Sequence, residues 1–546
     1  MKIIYSALIW IVLIPFQVFS QQLAKTPPMG WNSWDGFCFD VTEQQVKATA
    51  DFMEVNLKSA GWEYVVIDMG WYFNPSVTSN EGSSYQPAQS IDEWGRLIPD
   101  VTKYPSSVNG EGFKPMADYI HSKGLKFGIH IMRGIPWKAV KQNTTVKGTT
   151  FRANAIDKPS ENCEWSTAMV ALDGNSAGMQ AYYNSIFELY ASWGVDFVKV
   201  DDIAREFREK DMLAINKAII NCGRPIVLSL SPGAAPINHA SFFMENANMY
   251  RIANDFWDNW DFFSQQLGYC NQWYNYITPG HWPDADMLPF GKLRVTGGDA
   301  WIASLLNENQ SDVENELSRF TNDEKQSVFS LWCIFRSPLM YGGYLPESDP
   351  FSINLLKNEE VISVNQNSSN NKPIINTADV SVWTADVPGQ KAKYVAMFNL
   401  KESTANVTIN LTQLGISESL KVRDLWSHTD LGTFSSSFTA SLPSHGSGLY
   451  KIEDNSLHTS VTTFANESQM HSYLSSDNLI LVPDTKITGS ITVQIVNVSG
   501  SIVKSAKMER GESSYSMNVT DLKNGIYFVH ATGKNINMVS KIIIQH

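Results

Sequence analysis

Two short apolar runs in this chain end in carboxylates placed to act as nucleophile, acid or base. In Trp193-Gly-Val-Asp-Phe-Val-Lys-Val-Asp-Asp202 a β-branched run delivers Lys199, Asp201 and Asp202 at its end. Lys199 and Asp201 are two residues apart and so face the same side of a strand. An ammonium group beside a carboxyl favours the ionised form that a nucleophile requires. In Tyr250-Arg-Ile-Ala-Asn-Asp255, Arg251 and Asp255 stand four apart at a second strand end. Hydrolysis of a glycosidic bond needs a carboxyl pair of this kind, one group attacking or activating water and one protonating the leaving oxygen. A single Asp after a strand is more often a helix cap or turn former, and Lys-x-Asp is as often a structural ion pair. The residues alone therefore nominate Asp201 and Asp255 without dividing the work between them.

The elements that must position these groups are legible from Pro27 to about Met340. Short apolar runs (Tyr64–Asp68, Lys126–His130, Val195–Asp201, Ile226–Ser231, Met249–Ala253) alternate there with longer amphipathic stretches such as Met116–Gly124. Continuous rather than alternating apolar strands imply a parallel sheet covered by helices on both faces. About 300 residues of this pattern suit a (β/α)8 TIM barrel. No Gly-rich phosphate loop follows the first strand, which argues against a dinucleotide-binding fold. Asp68, His130, Asp201, Ser231, Asp255 and Asp286 all fall at or just past predicted strand ends. In a barrel those ends converge on one face, where active sites of this fold are built.

Composition narrows the partners. A formal net charge of −13 and the lack of a Lys/Arg cluster exclude nucleic acid or an anionic membrane as the main partner. Seventeen tryptophans suit a carbohydrate-handling surface, and suit a large core equally. Lys2 followed by the apolar run Ile3–Phe16 and the small-residue site near Ser20 predicts a secretory leader cleaved before Gln21. No later stretch is long and apolar enough to predict a membrane span. The five cysteines are scattered without metal-ligand spacing, so no structural zinc is expected, and one disulfide of unassigned pairing is compatible with an oxidising compartment. From about Ile374 short alternating segments (Val380–Trp383, Lys393–Phe398, Ala405–Asn410) predict an antiparallel β-sandwich. A polar stretch follows, then a cysteine-free β module whose clearest strands are Ile491–Ser499 and Gly525–His530.

Several motifs, in order along residues 24–370, resemble glycoside hydrolase family 27, the family of α-galactosidases and α-N-acetylgalactosaminidases. They are Thr26-Pro-Pro-Met-Gly-Trp-Asn-Ser-Trp34, Gly61-Trp-Glu-Tyr-Val-Val-Ile-Asp68, Lys199-Val-Asp201, the Arg251/Asp255 pair, Trp282-Pro-Asp-Ala-Asp-Met-Leu288, Arg336-Ser-Pro-Leu-Met340 and Val361-Ile-Ser-Val-Asn-Gln366. The resemblance implies double displacement through a glycosyl-enzyme intermediate, without metal or organic cofactor. By position it implies Asp201 as nucleophile and Asp255 as acid/base. It also implies Trp34 against the sugar ring, Asp68 on the O4/O6 side, Lys199 on O3/O4, Arg251 near O2 and Asp286 as support, with His130 and Ser231 as further candidate substrate contacts. The expected substrate is a galactose-containing oligosaccharide or polysaccharide with a terminal α-linked galactose. Residues 476–546 resemble the sorting domain of the type IX secretion system, through Val493–Gly500, Asn524–Val529 and Lys541–Ile544. That resemblance implies the secretion machinery as a partner and a secreted, periplasmic or cell-surface location.

Departures from the family pattern bear on the sugar. Met69 stands where a second Asp usually follows Asp68, which removes an acceptor on the O4/O6 side. Asp202-Ile203 replaces the usual Gly-Cys, so the family's active-site disulfide is not expected. His130 stands where Tyr is frequent, and Ser231 with Ala234 suggests a roomier pocket near C2. The segment Asn74–Val108 is longer than in short members and is expected to wall the pocket. These changes keep α-N-acetylgalactosaminidase, β-L-arabinopyranosidase and isomaltose-releasing dextranase activities in view, together with a non-catalytic glycan-binding protein. The chain thus divides into a signal peptide (1–20), a catalytic barrel (21–372), a β-sandwich (373–453), a linker (454–475) and a β-rich sorting module (476–546).

Overall fold

The computed structural model of the 546-residue chain describes residues 23–79, 86–296, 304, 314–416, 419–454, 470–475, 477–483, 489–497, 501–533 and 536–544. The expected leader lies outside the described residues. Eight parallel strands form the first unit's central sheet: β1 (Met29–Asn32), β2 (Tyr64–Ile67), β3 (Lys126–Met132), β4 (Phe197–Asp201), β5 (Val227–Leu230), β6 (Met249–Arg251), β7 (Trp282–Asp284) and β8 (Leu339–Tyr341). Neighbours pair in chain order, and β8 returns to pair with β1. Just past β7, Leu288 bridges Tyr341 in parallel and its N–H donates to Met340 O at 2.8 Å, which closes the ring. Almost every strand residue is buried, as expected where one face fills the barrel and the other meets helices.

A helix follows each strand: α1 (Glu43–Asn56), α2 (Lys114–Ser122), α3 (Ala177–Trp193), α4 (Glu209–Asn221), α5 (Ala240–Asn246), α6 (Asp261–Trp273), α7 (Asn322–Phe335) and α8 (Glu359–Asn367). Local chemistry sets their ends. Ser176 Oγ accepts the Gly178 N–H to start α3, and Gly194 in the left-handed region ends it. Along α3 the buried Met179, Tyr182, Tyr183, Ile186, Phe187, Tyr190 and Trp193 recur at three- and four-residue spacing and face the sheet. Thr321 and Glu324 form a capping box on α7. Two of the sequence motifs meet as a joint rather than a site: buried Arg336 donates to the carbonyls of Asn365, Gln366 and Ser368.

A sandwich follows directly. Its larger sheet orders β9 (Ser369–Asn376), β10 (Val380–Asp386), β11 (Ala392–Asn399), β16 (Ser447–Asp454), β13 (Leu420–Asp424) and β14 (Thr429–Phe434). The smaller pairs β12 (Ala405–Asn410) with β15 (Ser437–Leu442). Val382, Val395, Met397, Val407 and Ile409 fill the space between them, while Trp383, Phe398 and Leu449 on the opposite face join the barrel core. The first strand begins at Ser369, a few residues ahead of the expected boundary, because Ser368 already caps α8 and Ser369 pairs with Asp386.

The second unit is an all-β module with its own core of Leu479, Leu481, Val493, Ile495, Val529 and Ala531. It has a three-stranded sheet (β17 Met470–Ser475, β18 Asn478–Pro483, β21 Tyr515–Asn518) and a four-stranded sheet (β20 Ile502–Met508, β19 Ile491–Asn497, β22 Gly525–Gly533, β23 Ile536–Ile544). β17 falls in the stretch read from sequence as linker. It belongs to the module because it pairs with β18 along its whole length.

Candidate functional site

Strand register brings the candidate residues to one level. His130 pairs with Lys199 and Met132 with Asp201; Val200 pairs with Leu230, so Asp201 stands beside Ser231; Tyr250 pairs with Leu230, so Arg251 comes level with Ser231, and Arg251 pairs with Asp284. Asp68 leaves β2 one residue beyond Ile67, whose partner is Ile129. These ends line a cavity of about 420 Å³. Trp34, Asp68, Lys199, Asp201, Ser231, Arg251, Asp255 and Asp286 all face it, so eight of the nine expected site residues converge.

Asp68 is the most heavily hydrogen-bonded of them. Asn32 Nδ2 and Lys199 Nζ both donate to its Oδ2, at 2.7 and 2.8 Å, and the Met69 N–H donates to Oδ1 at 2.8 Å. Burial opposes its charge, but Lys199 and the nearby His130 more than offset this and hold the carboxyl well below the usual range. Lys199 is held correspondingly above its ordinary value; burial opposes its charge, and Asp68 and Asp201 stabilise it. An Asp68 so fully engaged can bind hydroxyls and is poorly placed to attack.

Asp201 is differently equipped. Its Oδ1 accepts the Asp202 N–H at 2.9 Å and its Oδ2 lies 3.1 Å from His130 Nε2, which must be the donor to a carboxylate. Burial raises its affinity for a proton, yet the His130 hydrogen bond and the charges of His130 and Lys199 hold it below the usual carboxylate range. It still faces the cavity. An ionised, oriented carboxylate at the end of a strand can attack an electrophilic carbon. Asp202, next along, turns away with φ +58° into a buried pair with Arg133 at 2.8 Å. Burial pushes it up to about 6, against the pull of Arg133.

On the opposite wall Arg251 divides its guanidinium between two carboxylates. Nη2 reaches Asp255 Oδ1 at 2.9 Å and Nη1 reaches Asp286 Oδ1 at 2.7 Å. The Asp255 side chain remains 40% exposed, while that of Asp286 is only 3% exposed. Asp286 Oδ2 accepts the Phe256 N–H at 2.8 Å, which fixes the turn that presents Asp255. Burial raises the Asp286 carboxyl, and Arg251 opposes that rise. A partly exposed carboxyl on a fixed arm can give a proton to a leaving group and take one from water. Below Trp34, Asp35 is buried with Oδ2 unpartnered, and burial together with the Asp286 charge holds it well above the usual range. Gly342 is required there, since a Cβ would lie 1.7 Å from that oxygen.

Two of the expected contributors do not line the cavity among the described residues. His130 has no exposed surface and does not line the cavity. β3 runs two residues past it to Met132, so it sits one layer below the mouth and orients Asp201 from beneath. None of the described residues of 74–108 lines the cavity, and residues 80–85 lie outside the described residues. Their described part packs outward instead, with Arg96 donating to Ser185 O on α3. Among the described residues Cys163, Cys222, Cys270 and Cys333 are free thiols, and Ile203 occupies the position after Asp202. Met69 faces the cavity beside Asp68 at 4% exposure. Sequence reasoning missed Phe39, Trp165, Arg205, Trp257 and Met287, which also line the wall, as do Asp35, Pro232 and Phe256. Met287 lies inside a quoted motif and Asp35 directly after one, so both could have been found there; Trp165 and Arg205 lie on loops without motif signal. Among the described residues no group of His, Cys, Asp or Glu is arranged to hold a metal, and no helix is long and apolar enough to cross a membrane.

Comparison with known proteins agrees with this architecture. Residues 26–181 and 174–302 match the family profile of alpha galactosidase A, residues 377–452 that of the alpha galactosidase C-terminal beta sandwich domain, and residues 476–545 that of the secretion system C-terminal sorting domain. An α-galactosidase from Cyamopsis tetragonoloba is 27% identical over 438 residues, covering 79% of this chain and 87% of that protein. The crystal structure of a family-27 β-L-arabinopyranosidase from Geobacillus stearothermophilus superposes with a TM-score of 0.73 at 46% identity, covering 79% of this chain and 97% of that one. A candidate α-N-acetylgalactosaminidase from Bacillus halodurans superposes with a TM-score of 0.68 at 40% identity and the same coverage.

Proposed function

The chain belongs to glycoside hydrolase family 27, the α-galactosidase family, and from that premise we propose that it is a retaining exo-glycosidase for terminal sugars of α-D-galactose configuration, with β-L-arabinopyranose preferred. β-L-Arabinopyranose has the ring stereochemistry of α-D-galactose and lacks only the C6 hydroxymethyl group. The observation that carries this preference is Met69. An apolar side chain fills the wall beside Asp68 where an acceptor for the hydroxymethyl would stand, so a sugar without that group leaves no polar atom unpaired. The similarity to the Geobacillus arabinopyranosidase supports the same reading.

In this mechanism Asp201 attacks the anomeric carbon while the bond to the leaving oxygen breaks, and Asp255 gives that oxygen its proton. Water then attacks the glycosyl–Asp201 ester, Asp255 takes the water proton, and Asp201 leaves as carboxylate. Two inversions give net retention. Asp68 and Lys199 hold hydroxyls on one side of the ring, Arg251 the C2 side, and Trp34 walls the sugar. A second reading, an acetamido sugar at the same site, is favoured by the small Ser231 and by the Bacillus relative. The sorting domain supports delivery to the cell surface or medium through secretion machinery. The test is hydrolysis of p-nitrophenyl β-L-arabinopyranoside, α-galactoside, α-N-acetylgalactosaminide and α-glucoside, with Asp201→Asn as control. Turnover that is highest on the arabinopyranoside and vanishes in the variant supports the proposal. Binding that survives with no turnover of any glycoside by the wild type would make the protein a glycan binder instead.

A further inference from the structure

The proposed chemistry uses the floor of the cavity and leaves its rim unassigned. Two rim residues stand out. Trp165, on the loop after β3, is 50% exposed and is the one exposed tryptophan among the described residues, whereas most others are fully buried. A large exposed aromatic face on a cavity wall has no packing purpose; aromatic faces stack on the C–H faces of sugar rings. The same cavity is also lined by Arg205, in the turn after β4. Its guanidinium is tied to neutral acceptors only: Nε donates to Gly233 O at 2.6 Å and Nη2 to Asn254 Oδ1 at 3.3 Å. No carboxylate among the described residues comes within ion-pair distance of it, and its chain neighbour Glu206, like Glu164 beside Trp165, is exposed and outside the cavity wall. The guanidinium is nevertheless not free to wander. Its two anchors are Gly233, on the loop that carries Ser231, and Asn254, the residue before Asp255, and both Ser231 and Asp255 line the same cavity.

We propose that Trp165 and Arg205 form the leaving-group subsite, and that the sugar released from the terminal residue is an acidic one, a uronic acid whose carboxylate pairs with Arg205 while its ring stacks on Trp165. The inference rests on the glycosidase reading of the cavity and adds the class of the group beyond the scissile bond. A fixed guanidinium with unused N–H donors recognises a carboxylate with geometric specificity, and a neutral sugar would leave that charge unanswered. Gly233 makes the anchor possible: a Cβ there would meet Ala253 O at 1.8 Å, so the two loops touch through backbone.

The experiment compares matched (1→4)-linked disaccharides in which the same terminal sugar, β-L-arabinopyranose or α-galactose, is joined to glucuronic acid or to glucose. For the wild type kcat/KM on the glucuronide should exceed that on the glucoside about fivefold at low ionic strength, the scale of a partly exposed ion pair, and the ratio should shrink in 0.5 M NaCl. In Arg205→Gln the ratio should fall to about one and lose its salt dependence, with Arg205→Lys intermediate. Trp165→Ala should raise KM on both disaccharides while the ratio survives. A wild-type ratio of one, or an Arg205→Gln variant that keeps the wild-type ratio, overturns the proposal. Failure of every glycoside, aryl or disaccharide, would instead overturn the glycosidase reading beneath it.

Discussion

Met69→Asp should move the preferred substrate from β-L-arabinopyranoside toward α-galactoside. Met69 is almost wholly buried in the cavity wall, one residue beyond Asp68 and near the Lys199 ammonium. A carboxylate there could accept a hydrogen bond from the C6 hydroxyl of galactose, an interaction with a charged group that contributes about 1.5–3 kcal/mol. Part of that is lost again. The new charge sits beside Asp68, and Lys199 is already engaged there, so a net gain of about 1–2 kcal/mol is the reasonable scale. With arabinopyranoside bound, the same carboxylate faces no partner and its desolvation costs about 1–3 kcal/mol. The ratio of kcat/KM for the galactoside to that for the arabinopyranoside should therefore rise about 30-fold or more. Steady-state rates on the two p-nitrophenyl glycosides measure it. An unchanged ratio in a folded variant, or a shift toward the arabinopyranoside, would refute the assignment of Met69 to the C5 side of the ring.

Other consequences can be tested as directly. Asp255→Ala should lower kcat on a disaccharide by about 10²–10⁴ but cost much less on an activated aryl glycoside, whose leaving group needs little protonation; equal losses on both would remove Asp255 from the acid role. Gly233→Ala forces the Ser231 loop away from Ala253 and should reduce kcat/KM about 10²-fold and lower the melting temperature as well, read by kinetics beside thermal denaturation; unchanged kinetics in the folded variant would contradict this. Asp202 binds its proton more tightly folded, at about 6, than an unfolded Asp near 3.9, so between those values the native state holds more protons and wild-type stability falls as pH rises. Asp202→Asn removes that slope, and its unfolding free energy relative to wild type, read by denaturant titration, should climb from pH 4 to pH 7 by an amount on the order of 2 kcal/mol, offset by a constant loss from the stranded Arg133. Dialysis against EDTA should leave kcat/KM unchanged on every substrate.

What sequence alone revealed follows from where the physical constraints lie. Barrel strands such as Tyr64–Ile67 and Val227–Leu230 are buried on both faces, so they read as continuous apolar runs. The carboxylates after them are conspicuous because a charge directly after such a run needs a reason. Lys199 and Asp201 were placed on one face by period-two geometry alone, and the register agrees. The depth of His130 is open from sequence: the run Lys126–Met132 gives no sign of where the cavity floor begins, and two residues decide whether a side chain meets sugar or supports a neighbour. Trp165 and Arg205 are invisible from sequence because each reaches the cavity from a loop, and Arg205 is held by backbone and side-chain carbonyls of residues 28 and 49 positions away. β17 was read as linker because Met470–Ser475 is polar on one side of a small sheet and short.

The proposed mechanism requires Asp201 to be the group that forms a bond to the sugar. Incubation with a fluorinated glycosyl fluoride of galacto or arabinopyranosyl configuration, which forms the glycosyl-enzyme faster than it breaks down, followed by peptide mass spectrometry, would show where that bond is. An adduct on the peptide carrying Asp201, absent from Asp201→Asn, is the predicted result. An adduct on another carboxylate, or active enzyme that accumulates none and releases sugar of inverted configuration, would contradict it.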